Sequence, residues 1–313
     1  MHSFSTRPLL GACISAVLLI SASHATARST AATPVPAKTS AASTGGYRAS
    51  MQTMQIPSHG ALMNALVYVA AGAGPHPAVI LLHGFPGNER NLDLAQDMRR
   101  AGWDVLYFDY RGSWGTPGGF SFSHSIEDTQ AAIAYLRQPA VAAKLHLDPA
   151  RIVLIGHSMG GFMAVEAAAA DPAIAAFATI SAADFAGRYL HSLGTGGDAA
   201  DPRRAVKQLS MELAAEGMAP LSGCTPDSLA HDVAEHAEPW QFQAKVDALK
   251  TRTVLVVTSD DGLAAENIAF ADSLRKAGDS GVSTAHLPTD HAYSDQRREL
   301  SDRVLTWLAA LPH

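Results

Sequence analysis

The residues most able to do chemistry lie in Gly156-His157-Ser158-Met159-Gly160-Gly161. The segment follows an apolar run at 152–155 and precedes an alanine-rich stretch, 162–170, that reads as a helix. A serine on a strand-to-helix turn stands above the sheet edge, where a carbonyl carbon can reach it. Glycines are needed because the turn is tight and the helix packs close to the strand. The chemistry this suggests is nucleophilic attack by the hydroxyl. A hydroxyl is a poor nucleophile at neutral pH, so a base must take its proton and a third group must orient that base. The plain alternative is a glycine-rich turn with an ordinary serine, and the rest of the chain bears on it.

His291, in Thr289-Asp290-His291-Ala292-Tyr293-Ser294, is the candidate base, and the other histidines lack its position in a loop after a late strand. Two adjacent carboxylates, Asp260 and Asp261, follow the apolar strand at 253–257 and are both candidates for the orienting acid. Asp261 is also placed to cap a helix starting near residue 264. Asp290 ranks behind both, because adjacent side chains usually point apart. His83 and His157 read as residues that brace loops rather than as catalytic groups.

The elements that must position these residues alternate from about residue 51 onward. Residues 54–56 and 62–70 read as an antiparallel pair. Strands follow at 78–82, 105–108, 152–155, 174–180, 253–257 and 282–287, with helices at 89–101, 125–136 and 296–311 among them. Such alternation implies a mostly parallel sheet of eight strands covered by helices on both faces. Between 183 and 249 there is no good buried strand; helix-like pieces at 203–216 and 225–237 flank a glycine-rich loop at 194–197. That insertion is expected to form a helical cap over the site.

Composition limits the remainder. The chain has 313 residues, of which 47% are hydrophobic and 17% charged, enough for a large core and unlike a disordered protein. The net charge of −6 and the lack of a long basic run argue against nucleic acid as a partner. Residues 1–27, with Arg7, an apolar stretch and Ala25-Thr26-Ala27, have the layout of an export signal peptide, implying a periplasmic or secreted protein with no stable membrane span after processing. Residues 28–49 are rich in Ala, Ser, Thr and Pro and read as a flexible linker to a domain at 50–313. Loss of Cys13 with the leader leaves Cys224 as the one cysteine, so an internal disulfide is ruled out. No metal-ligand spacing and no dinucleotide fingerprint stand out, and the chemistry needs no cofactor.

The chain resembles the α/β-hydrolase superfamily, and within it the serine esterases and prolyl-oligopeptidase-like hydrolases, over roughly residues 51–311. The resemblance is carried by His83-Gly84-Phe85-Pro86-Gly87, Asp109-Tyr110-Arg111-Gly112, Asp148-Pro149-Ala150-Arg151-Ile152, the Ser158 segment, Asp260 and His291. It implies the chain order serine, acid, histidine. In related hydrolases a small or turn residue commonly stands two positions after the acid, which favours Asp260 over Asp261. The resemblance also implies an oxyanion hole made by the amides of Met159 and Phe85; Pro86 has no N–H to offer. Trp114, Phe120 and Phe122, in a glycine-punctuated loop, are expected either to line the substrate pocket or to pack that loop onto the core. The implied activity is hydrolysis of a small-molecule carboxylic ester. A serine peptidase or amidase and a non-catalytic binding protein on the same fold are the alternatives.

Overall fold

The computed structural model describes residues 46–194, 201–278 and 281–312. The expected leader lies outside the described residues, as do all of the linker before residue 46 and the loop glycines at 196 and 197. The domain opens with a hairpin of β1 (Ser50–Ser58) and β2 (Ala61–Val69). His59 and Gly60 between them both have positive φ, 44° and 83°, as a two-residue turn matched to the strand twist requires. Then follow β3 (His76–Leu82), α1 (Leu92–Arg100), β4 (Asp104–Phe108), α2 (Phe122–Leu136), α3 (Pro139–Leu145), β5 (Leu147–His157), α4 (Met159–Ala170) and β6 (Ala176–Ile180). Four helices come next: α5 (Phe185–Gly194), α6 (Pro202–Glu216), α7 (Pro226–Trp240) and α8 (Phe242–Leu249). The chain closes with β7 (Thr253–Thr258), α9 (Ala264–Lys276), β8 (Val282–His286) and α10 (Arg297–Ala309).

The eight strands form one sheet in the order β1-β2-β4-β3-β5-β6-β7-β8. Strand β2 runs against both of its neighbours, and every pairing from β4 through β8 is parallel. The side chains of the buried strands divide between two cores by the period of two. Ala78, Ile80 and Leu82 of β3, with Ile152 and Leu154 of β5, join the larger core beside α2 and α4. Val79, Leu81, Val153 and Ile155 join the core beside α1 and α10. Runs that read as continuously apolar in sequence are strands covered on both faces.

Between β6 and β7 every element among the described residues is helical. Helices α5 and α8 were not anticipated from the sequence; each is short and flanks the insertion where it leaves and rejoins the sheet. Asp184 ties the two together. Its carboxylate accepts from the Gly187 amide at 2.8 Å and from the Phe242 amide at 3.1 Å. Helix α4 is buried on all sides through residue 168, because the sheet covers one face and α2 together with α8 of the insertion the other. The one ionisable residue in that stretch, Glu166, meets Lys245 of α8 at 2.7 Å.

Candidate active site

Strand β5 ends at His157 and helix α4 begins at Met159, so Ser158 alone makes the turn. Its φ of 56° and ψ of −121° are strained for a residue with a side chain. The surrounding backbone holds it there: the Ser158 amide donates to the Ile180 carbonyl at 2.9 Å, and its own carbonyl accepts from Gly161 at 2.9 Å and Ala183 at 3.2 Å. The glycines are a packing requirement. A Cβ on Gly156 would lie 1.9 Å from the Gly160 carbonyl oxygen, and one on Gly160 would lie 2.0 Å from that of Leu82. No side chain fits at either place.

His291 lies in the loop between β8 and α10. Its Nδ1 meets Oδ2 of Asp261 at 2.7 Å. This corrects the expectation for Asp260. Asp260 projects the other way, with 65% of its side chain exposed, and meets Nε2 of His286 on the edge strand at 3.2 Å. The Asp261 side chain is 3% exposed. Past the end of β7 successive side chains still point to opposite sides. The Asp260 amide is bonded to the Thr289 carbonyl at 3.0 Å, and that bond sets which side faces the histidine. Asp261 keeps the capping contact too, its Oδ1 accepting from the Leu263 amide at 2.9 Å. Burial by itself pushes its carboxyl up. Hydrogen bonds from His291, Ser181 and the Leu263 amide outweigh burial and hold it well below the usual carboxylate range, so it is ionised. Asp290 spends its Oδ1 on the Ser294 amide at 2.8 Å.

Ser158, Asp261 and His291 line one cavity of about 290 Å³. Its apolar wall is Phe85, Phe185, Leu209, Leu213 and Leu263, so α5 and α6 of the insertion supply part of it. A second recess of about 170 Å³, lined by Gly84, Phe85 and Glu216, also reaches Ser158 and His291. Trp114, Phe120 and Phe122 line neither, which corrects their reading as pocket residues. Phe120 and Phe122 are buried behind the wall, with ring centres 6.0 and 6.1 Å from Phe85, and Phe122 packs 4.7 Å from Phe185. Their loop is drawn inward by Ser222, whose carbonyl accepts from the Phe120 amide at 2.9 Å and whose own amide donates to the Gly112 carbonyl at 2.8 Å. Trp114 lies under the Arg90 guanidinium, 3.7 Å from its ring centre. The wall residues on the inserted helices escaped the sequence reading. Their one trace is the four-residue spacing of Leu209 and Leu213 on a helix.

Phe85 borders both recesses, and Met159 opens α4, where a first-turn amide has no acceptor within the helix. His83 is buried, with Nδ1 against the Gly84 carbonyl at 2.8 Å; burial lowers its pKa to about 4. His157 donates from Nε2 to the His291 carbonyl at 2.8 Å, and burial, reinforced by the neighbouring His291, lowers its pKa to about 3. Both are neutral braces in the working range. Among the described residues no group of three His, Cys, Asp or Glu is arranged to hold a metal ion, and no helix is long and apolar enough to cross a membrane.

Comparison with known proteins bears on the family and the fold. A family model described as the α/β hydrolase fold matches residues 77–264. Over 106 residues the chain is 35% identical to an uncharacterised protein of Mycobacterium tuberculosis; the match takes in 34% of this chain and 35% of that protein, about a third of its length. Among solved structures, Est1E of Butyrivibrio proteoclasticus with ferulic acid bound superposes with a TM-score of 0.62 at 20% identity, over 82% of this chain and 98% of that one. A highly thermostable carboxyl esterase of Bacillus coagulans superposes with a TM-score of 0.62 at 17% identity, over 83% and 98%. At these identities the structural likeness is one of fold.

Proposed function

The chain belongs to the α/β hydrolase family, and from that premise we propose that it is a serine hydrolase of carboxylic esters. The observation that carries this reading is the convergence of Ser158, on a strained turn, with His291 and its bonded Asp261 at one cavity. In the proposed reaction the Ser158 hydroxyl attacks the ester carbonyl while His291 takes its proton. Asp261 holds the imidazole in the right tautomer and stabilises its charged form. The amides of Phe85 and Met159 receive the oxyanion. His291 then protonates the leaving alcohol, and water releases the acid from the acyl-enzyme by the reverse sequence.

The two recesses flanking Ser158 suit the two halves of an ester. The one of about 290 Å³, with an apolar wall of Phe85, Phe185, Leu209, Leu213 and Leu263 and with Arg188, Glu212 and Glu216 also lining it, suits a small acyl group, and the recess of about 170 Å³ the departing alcohol. The leader-like residues 1–27 support export as part of the same proposal, with a mature chain starting near Arg28. N-terminal sequencing of the exported protein checks that start.

The decisive experiment is turnover of p-nitrophenyl butyrate by the wild type and Ser158→Ala, with fluorophosphonate labelling in parallel. Loss of the hydroxyl is expected to lower kcat by on the order of 10⁴-fold or more and to abolish the label. Full activity in the variant would end the serine-hydrolase reading.

A further inference from the structure

The two recesses at Ser158 differ in the charge of their walls. Besides Asp261 and His291, the cavity of about 290 Å³ is lined by three charged residues, Arg188, Glu212 and Glu216. Arg188 is spent on Glu212, its Nη2 donating to Oε2 at 3.1 Å, and Gln208 donates to the other oxygen at 3.1 Å. The recess of about 170 Å³ is lined by Glu89 and Glu216 and, among the described residues, by no lysine or arginine. His157, also in its wall, is neutral. Glu89 stands in the loop after β3 and Glu216 at the end of α6, so separate parts of the fold bring two carboxylates to one recess beside the nucleophile.

The two differ in how far the protein compensates them. Glu89 accepts from the Asn91 amide at 2.6 Å and lies 4.0 Å from Nη2 of Arg297. That guanidinium is also bonded to both oxygens of Asp93. Arg90, the cation next along the chain, lies over the Trp114 ring. Among the described residues nothing is hydrogen-bonded to or ion-paired with the Glu216 carboxylate.

The helix makes a carboxylate at 216 costly. The C-terminal end of a helix carries partial negative charge, and the last turn of α6 has no basic residue. Glu212, one turn earlier, sets a like charge at the repelling spacing of four. Local stability therefore opposes a glutamate here, and local rules are broken most often at functional sites. Glu216 is also the one charged residue that borders both recesses without being bonded to a partner or to the catalytic pair.

We infer that Glu216 is a specificity residue, whose carboxylate binds an ammonium group on the alcohol half of the ester. The inference rests on the hydrolase reading and deepens it. The bonds made and broken are those already described, and the products are a free acid and an amino alcohol. The charge matters most in the transition state. His291 is then an imidazolium, which repels a cationic alcohol, and the carboxylates of Glu216 and Glu89 offset that repulsion.

The test compares butyrylcholine with 3,3-dimethylbutyl butyrate, in which a carbon replaces the nitrogen. Acid release is followed by titration at constant pH, with each rate divided by that ester's rate in alkali. The wild type is expected to favour the cationic ester in kcat/KM by about fivefold, the scale of one charge pair open to water. Glu216→Gln is expected to abolish that preference, and added salt to weaken it in the wild type. The ratio compares two esters on one preparation, so it does not depend on how much of the variant is folded. A wild type that favours neither ester or prefers the neutral one, or a preference that survives Glu216→Gln, would overturn the inference while leaving the serine-hydrolase reading intact. A wild type that hydrolyses neither ester and takes no fluorophosphonate label would sink that reading, and this inference with it.

Discussion

His157 and His291, far apart in the chain, are joined by one hydrogen bond: Nε2 of His157 donates to the carbonyl oxygen of His291 at 2.8 Å. Their rings lie 4.6 Å apart. The residue before the nucleophile therefore anchors the loop that carries the base. Because burial keeps His157 neutral, the anchor does not switch with pH in the working range. Replacing His157 by Ala is expected to lower kcat about tenfold, the scale of one lost hydrogen bond, by letting that loop drift. Steady-state kinetics beside a thermal melt checks this; an unchanged kcat would show that the loop holds itself.

Asp260 and Asp261 are neighbours with opposite fates, and isosteric substitution separates them. Asp261→Asn is expected to cut kcat by on the order of 10³–10⁴-fold, since an amide facing Nδ1 of His291 favours the wrong tautomer. Asp260→Asn disturbs only an exposed contact with His286 and is expected to stay within about twofold of wild type. Equal losses in the two variants, measured on the same ester, would contradict the observed pairing.

Leu213 forms part of the apolar cavity wall and is 2% exposed. Leu213→Ala lengthens the space available to an acyl chain. The ratio of kcat/KM for p-nitrophenyl hexanoate over acetate is expected to rise roughly tenfold, the scale of one or two methylenes in an apolar pocket. A ladder of acyl lengths reads this directly, and an unmoved preference would place the acyl group elsewhere.

Glu266, in the first turn of α9, accepts from the Asp184 amide at 3.0 Å. Burial raises its pKa to about 7, with the charges of Asp184 and Asp261 adding to the effect against the lowering by that amide and Arg188. A raised carboxyl pKa means that the folded state keeps a proton which the unfolded chain loses near the ordinary glutamate value of 4.5. Stability therefore falls as pH rises from there through about 7, and the loss is complete above it. Glu266→Gln keeps the acceptor and removes the titration. Its melting temperature is expected to exceed that of wild type by roughly 2–4 °C at pH 8, with the gap closing by about pH 4. A gap that is the same at both pH values would refute the linkage.

The sequence by itself determined the alternation of strands and helices, the tight turn at Ser158 and the loop that holds His291. These are local properties. An apolar run of strand length, glycines that admit no Cβ and a helix-forming stretch beyond them specify a strand–turn–helix unit wherever it sits. The tertiary structure alone decided which aspartate meets the histidine and which aromatics wall the cavity. Asp260 and Asp261 have the same chemistry and differ only in which way the chain faces after β7, set by a hydrogen bond to Thr289. Phe120 and Phe122 are held behind Phe85 by backbone bonds between their loop and Ser222, about a hundred residues away. Their places in the cavity went to Phe185, Leu209 and Leu213 of the inserted helices. Local composition reports what a residue is able to do, whereas the direction it faces depends on contacts with residues distant in sequence.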